Sequence, residues 1–142
     1  AVSREFEEIF LIFKMKTILI LGSESDRDFA AKIESALDEK KIPHEIFVAS
    51  AHKKTREVLD IVAKFEKEKV VFVTIAGRSN ALSGVVAANS TKPVLACPPF
   101  KSKTDYSVNI HSTLQMPSGT PVLAILDPAN CAEAAARILN LK

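Results

Sequence analysis

The chain has 142 residues, 47% of them hydrophobic and 25% charged, a balance that excludes disorder as a description of the whole. On the scale of ~150 residues per domain, that length implies one domain with an ordinary core and little spare chain. Lys plus Arg 19 against Asp plus Glu 17 leave a net charge of +2, too weak by itself to signal a nucleic-acid or membrane-surface partner.

Residues 1–14 precede the first strand. There Phe6, Ile9, Phe10 and Phe13 fall on one helical face, with Glu7, Glu8 and Lys14 elsewhere. An exposed stripe of this kind invites aggregation, so residues 3–13 are expected to form an amphipathic helix packed on this or a neighbouring subunit. A non-native prefix is the alternative. The stretch opens with acids and lacks a small-residue cleavage site, so it does not read as a signal peptide, and Met15-Lys16 looks like a native start to the domain proper, residues 15–142.

Thr17–Leu21 is a short β-rich run ending at Gly22. From Asp26 to Lys40, Phe29, Ala30, Ile33, Ala36 and Leu37 recur at helical spacing. Pro43 closes that turn, and Glu45–Val48 gives a second, more exposed strand. Thr55–Lys67 is helical through Val58, Leu59, Val62 and Phe65. Val70–Ala76 is continuous and β-branched, as in a strand buried on both faces. Asn80–Asn89 is an Ala-rich helix, Pro93–Cys97 a fourth strand, and Lys101–Leu114 a short polar helix. Pro121–Leu126 and Asn130–Leu141 supply the last strand and helix.

This βα alternation predicts a doubly wound, flavodoxin-like α/β domain: three layers around a five-stranded parallel sheet, with order 2-1-3-4-5 as the simplest case. Ligands bind such sheets outside the carboxyl ends of the strands, so the residues that follow each strand are the ones to read. After the first come Gly22-Ser23-Glu24-Ser25-Asp26, small hydroxyl residues opening a helix, suited to an anion with Asp26 free for sugar hydroxyls. Plain helix capping by Ser23 or Ser25 is the alternative. After the second come Ala49-Ser50-Ala51-His52-Lys53, with Lys53 as a phosphate cation and His52 able to move protons near neutral pH. A solvated loop with an incidental His is the competing description.

After the third come Ala76-Gly77-Arg78-Ser79-Asn80, whose small residues, cation and polar groups suit a carboxylate or phosphate, or else a tight turn with a capping Ser or Asn. The fourth ends in Ala96-Cys97-Pro98-Pro99, a donor-poor wall. Cys97 and Cys131 are too few for a disulfide framework, have no ligand spacing for a metal, and are expected as small, reduced, buried residues. Gln115-Met116-Pro117-Ser118-Gly119 precedes the fifth strand, so it lies at the other end of the sheet and could reach a pocket only across a subunit interface. Three phosphate-friendly loops and one histidine suggest a phosphorylated small molecule and one proton transfer. No Walker loop or GxGxxG is present, which disfavours nucleoside triphosphates and dinucleotides. No apolar run approaches the ~18–20 residues of a membrane span, and a cytoplasmic protein is expected.

Taken together, Gly22-Ser23-Glu24-Ser25-Asp26, Ser50-Ala51-His52-Lys53, Ala76 through Ser83-Gly84, and Gln115-Met116-Pro117-Ser118-Gly119 resemble the phosphoribosylaminoimidazole (AIR) carboxylase family of purine biosynthesis. The resemblance runs from about Met15 to the end. The family comprises mutases, which move a carboxylate from the exocyclic nitrogen to C4, and direct carboxylases, which use CO2. Mutases typically carry Ala-His-Arg and a Gly-Gly-Ala-Ala-His loop. Here Ala51-His52-Lys53, Gly77-Arg78-Ser79-Asn80 and Cys97-Pro98-Pro99 look like the direct, class II type.

The resemblance implies ribonucleotide binding by Ser23, Asp26, Ser50 and Lys53, with Lys53 on the phosphate. It implies Gly77, Arg78 and Ser79 at the reacting end and His52 as the proton-transfer group. Gly22, Ala51, Asn80, Leu82, Cys97, Pro98, Met116 and Pro117 would shape the pocket. It further implies no cofactor, CO2 as co-substrate, a small-molecule ribonucleotide as the ligand, and a homo-oligomer, an octamer in the family, with neither nucleic acid nor membrane as partner. Family members usually continue into a further C-terminal helix that reaches over a neighbouring subunit. This chain ends at Asn140-Leu141-Lys142, and the N-terminal helix is expected to substitute for that element.

Overall fold

A computed structural model of the protein describes residues 3–7 and 15–142. Residues 4–7 are helical, opened by Ser3, whose Oγ accepts from the Phe6 N–H at 3.2 Å. The remainder of the expected N-terminal helix, with Ile9, Phe10 and Phe13, lies outside the described residues.

Five strands, β1 (Met15–Leu21), β2 (His44–Val48), β3 (Lys69–Ile75), β4 (Val94–Ala96) and β5 (Leu123–Ala124), pair in parallel in the order β2-β1-β3-β4-β5. Five helices connect or follow them: α1 (Arg27–Glu39), α2 (Thr55–Phe65), α3 (Leu82–Ala88), α4 (Lys103–Leu114) and α5 (Pro128–Leu139). The doubly wound order read from the sequence is the one observed.

Because side chains alternate along a strand, the central strands feed two cores at once. Leu19, Leu21, Val71, Val73 and Ile75 pack with Ala30, Ile33 and Leu37 of α1 and with Cys131, Ala132, Ala135 and Leu139 of α5. Ile18, Ile20, Val70 and Phe72 face the other way, onto Val58, Val62 and Phe65 of α2 and Leu82 and Val86 of α3. Burial on both faces is why β3 reads as a continuous, largely β-branched run from Val70 to Ile75, interrupted in polarity only by the buried Thr74.

Local chemistry sets the helix ends. Helix α1 stops in a Schellman motif: Ile42 N–H donates to Leu37 O and Lys41 N–H to Asp38 O, both at 3.0 Å, with Lys41 at φ 57°. Helix α5 starts two residues before Asn130, because Asp127 accepts from the Asn130 N–H at 2.9 Å and Pro128 sits in the first turn. Strand β5 is shorter than the Pro121–Leu126 run. It is an edge strand paired only with β4, through Leu95↔Leu123 and Ala96↔Ala124, and both of its residues are exposed.

Candidate active site

The carboxyl ends of β1, β2, β3 and β4 open into one cleft of about 580 Å³. Gly22 lets the loops after β1 and β3 begin close together. Its N–H donates to Ile75 O at 3.0 Å, and a Cβ there would stand 3.3 Å from the Ala76 Cβ. The chain then makes a single 3-10 turn, Glu24–Asp26, capped by Ser23, whose Oγ accepts from the Ser25 N–H at 3.2 Å. Capping therefore does occupy Ser23. Asp26 stands at the N-cap of α1 yet makes no capping bond, and it lines the cleft together with Ser23 and Ser25. Partial burial raises the Asp26 carboxyl above the usual carboxylate range, with the Lys101 charge opposing that shift.

The loop after β2 is a tight turn built on Ser50. Its Oγ accepts from the Lys53 N–H at 3.2 Å and its carbonyl from the Lys54 N–H at 2.8 Å, while Thr55 Oγ1 donates to Ala51 O at 2.5 Å. These bonds set His52 at the crest of the turn, exposed and lining the cleft. Lys53, one residue on, is exposed and takes no part in the lining.

The loop after β3 carries Gly77, Arg78 and Ser79 into the cleft. Ser79 adopts φ 42°, a left-handed conformation that costs a non-glycine residue energy and that the surroundings must hold. Asn80 does the holding. Its Nδ2 donates to Ser83 Oγ at 2.7 Å and Thr113 Oγ1 at 3.0 Å, and its Oδ1 accepts from the Ser83 N–H at 3.2 Å. Its own N–H donates to Ser112 Oγ at 2.9 Å. The capping role considered for this residue is real, and it serves to place Arg78 and Ser79.

Of the residues singled out from the sequence, the structure thus gathers Gly22, Ser23, Asp26, Ser50, Ala51, His52, Gly77, Arg78, Ser79, Asn80 and Leu82 around one cavity. Five others lie apart from it. Lys53 is exposed and is not among the lining residues. Cys97 is fully buried, and its thiol is pushed far up by the hydrogen bond to Cys131 and by burial, a packing role rather than a nucleophilic one. Pro98 is buried, and its neighbour Pro99 supplies the wall. Met116 and Pro117 line a separate concavity of about 490 Å³ with Leu114, Thr120 and Val122.

Two lining residues escaped the sequence reading, Lys101 and Asp105. The spacing Ser102-x-x-Asp105 is a legible capping-box signature, and the structure closes it one residue early: Asp105 N–H donates to Ser102 Oγ at 3.0 Å, and the N–H of Lys101, the residue before the cap, donates to Asp105 Oδ2 at 2.8 Å. That bond, the Asn109 amide and the nearby Lys101 and Arg78 charges hold the Asp105 carboxyl below its usual range. Nothing in the local pattern says that α4 begins over the cleft. Among the described residues, no cluster of three or more His, Cys, Asp or Glu could hold a metal ion, and no helix is long and apolar enough to cross a membrane.

The profile of the AIR carboxylase family matches residues 16–142. The chain belongs to the AIR carboxylase family. It is 48% identical over 128 residues to a phosphoribosylaminoimidazole carboxylase of Archaeoglobus fulgidus, a match covering 90% of this chain and 71% of that protein. It is 37% identical to the human bifunctional phosphoribosylaminoimidazole carboxylase/phosphoribosylaminoimidazole succinocarboxamide synthetase, covering 95% of this chain but 33% of that protein. The crystal structure of Treponema denticola PurE superposes with a TM-score of 0.82 at 40% identity, over 87% of this chain and 79% of that one. The AIR carboxylase match spans every residue that lines the cleft.

Proposed function

We propose that the protein carboxylates 5-aminoimidazole ribonucleotide (AIR) at C4 with CO2, giving carboxyaminoimidazole ribonucleotide in a reversible step of purine biosynthesis that uses no ATP. The observation that carries this reading is the convergence of Ser23, Asp26, Ser50, His52 and Arg78, drawn from three separate strand ends, on one cavity. Family membership supports carboxyaminoimidazole chemistry; the direct use of CO2 is our assignment.

The chemistry asks little of the protein. AIR is an electron-rich enamine, so the C4 carbon donates its electron pair to the carbon of CO2 and a carbon–carbon bond forms. C4 then carries both a proton and a carboxylate. Removing the proton returns its electron pair to the ring and restores aromaticity. His52, the one imidazole lining the cleft among the described residues, is the base. Arg78, with the N–H groups of its loop, faces the carboxylate as its charge develops. Asp26 takes the ribose hydroxyls, and the Ser23 and Ser50 hydroxyls take the phosphate end.

No step calls for a cofactor. The reading places the protein in the cytoplasm, with a ribonucleotide and CO2 as its ligands and with no nucleic-acid or membrane partner. It assembles as a homo-oligomer, an octamer as the family resemblance suggests, in which Met116 and Pro117 would reach a neighbouring subunit.

Purified protein given AIR and bicarbonate-derived CO2 without ATP is expected to form the C4 carboxylate. His52→Asn should lower that turnover by at least ~100-fold. Turnover only of the N-carboxylated isomer would establish a mutase instead. Binding of AIR with no turnover of either substrate would establish an inactive ribonucleotide-binding relative.

A further inference from the structure

Asn80 is buried at the end of the loop that carries Arg78 and Ser79, between strand β3 and helix α3. Neither a strand ladder nor a helix supplies an acceptor for its N–H there, yet a buried N–H needs one. That N–H donates to Ser112 Oγ at 2.9 Å, a group on the last turn of α4. A peptide unit is planar, so the bond fixes the plane of the Ser79–Asn80 peptide. It thereby fixes ψ of Ser79, the residue held at φ 42°.

Ser112 is itself held. Its Oγ donates to Asn109 O at 3.0 Å, which uses the one hydroxyl proton and leaves the lone pairs for the Asn80 N–H. Asn109 Nδ2 in turn donates to Asp105 Oδ1 at 2.7 Å, and Asp105 Oδ2 accepts from the Lys101 N–H at 2.8 Å. The 4 and 3 spacing of Asp105, Asn109 and Ser112 puts all three on one face of α4. The row joins two lining residues of the cleft, Asp105 and Asn80, through Asn109 and Ser112, which do not line it.

We infer that Ser112 is a positioning residue of the site: from outside the cleft it fixes the loop that presents Arg78 and Ser79, and Asn109 braces it. The inference rests on the proposed reaction for its effect on turnover, though not for the bond itself. In that reaction Arg78 meets a carboxylate whose charge develops only as the carbon–carbon bond forms. Ser23, Asp26 and Ser50 hold the ribonucleotide from loops that Ser112 does not bond. Loosening the β3 loop therefore weakens the transition state more than the bound substrate, and kcat falls while KM holds.

Two measurements test it, on the full chain and its variants. In the AIR/CO2 assay, Ser112→Ala should lower kcat by about tenfold with KM within about twofold, and Ser112→Thr, which keeps the hydroxyl, should recover most of the loss. The exposed Ser107→Ala on the same helix should change neither. Because Ser112 acts through the loop of Arg78, Ser112→Ala should cost less than about twofold more in an Arg78→Gln background, whereas a simple loss of folded protein costs the same in both. An unchanged kcat in Ser112→Ala, or an undiminished loss in the Arg78→Gln background, overturns the inference. Amide hydrogen exchange separates it from the proposed reaction. Protection of the Asn80 N–H should fall at least about tenfold in Ser112→Ala, while that of the Phe72 N–H, bonded to Pro93 O in the sheet, stays unchanged. That result with a wild type that turns over no AIR defeats the reaction and leaves the positioning bond standing. Equal protection of Asn80 in both proteins overturns the bond whatever the turnover.

Discussion

Asn80 Nδ2 lies 3.0 Å from Thr113 Oγ1, so the loop that carries Arg78 and Ser79 is tied to the last turn of α4 by a buried amide. Asn80→Ala removes every side-chain bond of that amide and leaves the Ser83 N–H without its cap. The expected loss is about 2–3 kcal/mol of stability, read as a lower urea midpoint. Activity should fall further than stability alone explains, because Ser79 then loses what holds it at positive φ.

Lys41 occupies the left-handed position of the α1 Schellman motif and is exposed. Lys41→Gly relieves the crowding of a Cβ there at some cost in unfolded-state entropy. A gain of about 0.5–1 kcal/mol in chemical denaturation is expected, with activity unchanged, since the site is remote from the cleft.

Two carboxyls should give opposite dependences on pH. Asp26 has a raised value, so the folded protein binds its proton more tightly than the unfolded chain, and stability falls as pH climbs from about the ordinary 3.8 through the raised value. Asp26→Asn should therefore raise the melting temperature at neutral pH, with the gap closing in acid, while substrate affinity drops. Glu66 has a lowered value because it accepts from Ser90 Oγ and Thr91 Oγ1 at 2.6 Å and from the Thr91 N–H at 2.8 Å. Its contribution is present above the ordinary 4.5 and is lost as pH falls through the lowered value. Glu66→Gln should therefore lower the melting temperature at neutral pH and converge with wild type in acid.

Thr17 is fully buried in β1, and its Oγ1 has no hydrogen-bond partner. Thr17→Val keeps the shape and removes an unsatisfied hydroxyl from the core. Stability should rise by about 1 kcal/mol in equilibrium unfolding. An unchanged or lower value would show that the hydroxyl is bonded in solution.

Sequence alone determined the order of strands and helices, because the alternation of Leu19 and Leu21 with Ile18 and Ile20, the 3–4 spacing of Ala30, Ile33 and Leu37, and the continuous Val70–Ile75 run are local signatures of which faces are buried. It also determined the loops that matter, because a parallel sheet delivers its strand ends to one edge whatever the loop details. Tertiary structure decided the rest. Strand β5 shrank to Leu123–Ala124 because only the neighbouring β4 could pair with it. Lys53 and Lys101 exchanged places as candidates for the cleft because a lysine's position beside a strand end says nothing of where its loop turns. The path of the β4–α4 connection over the sheet is a long-range outcome, set by Asn80 gripping α4 and by the capping box at Asp105, and no periodicity in the residues around Lys101 encodes it.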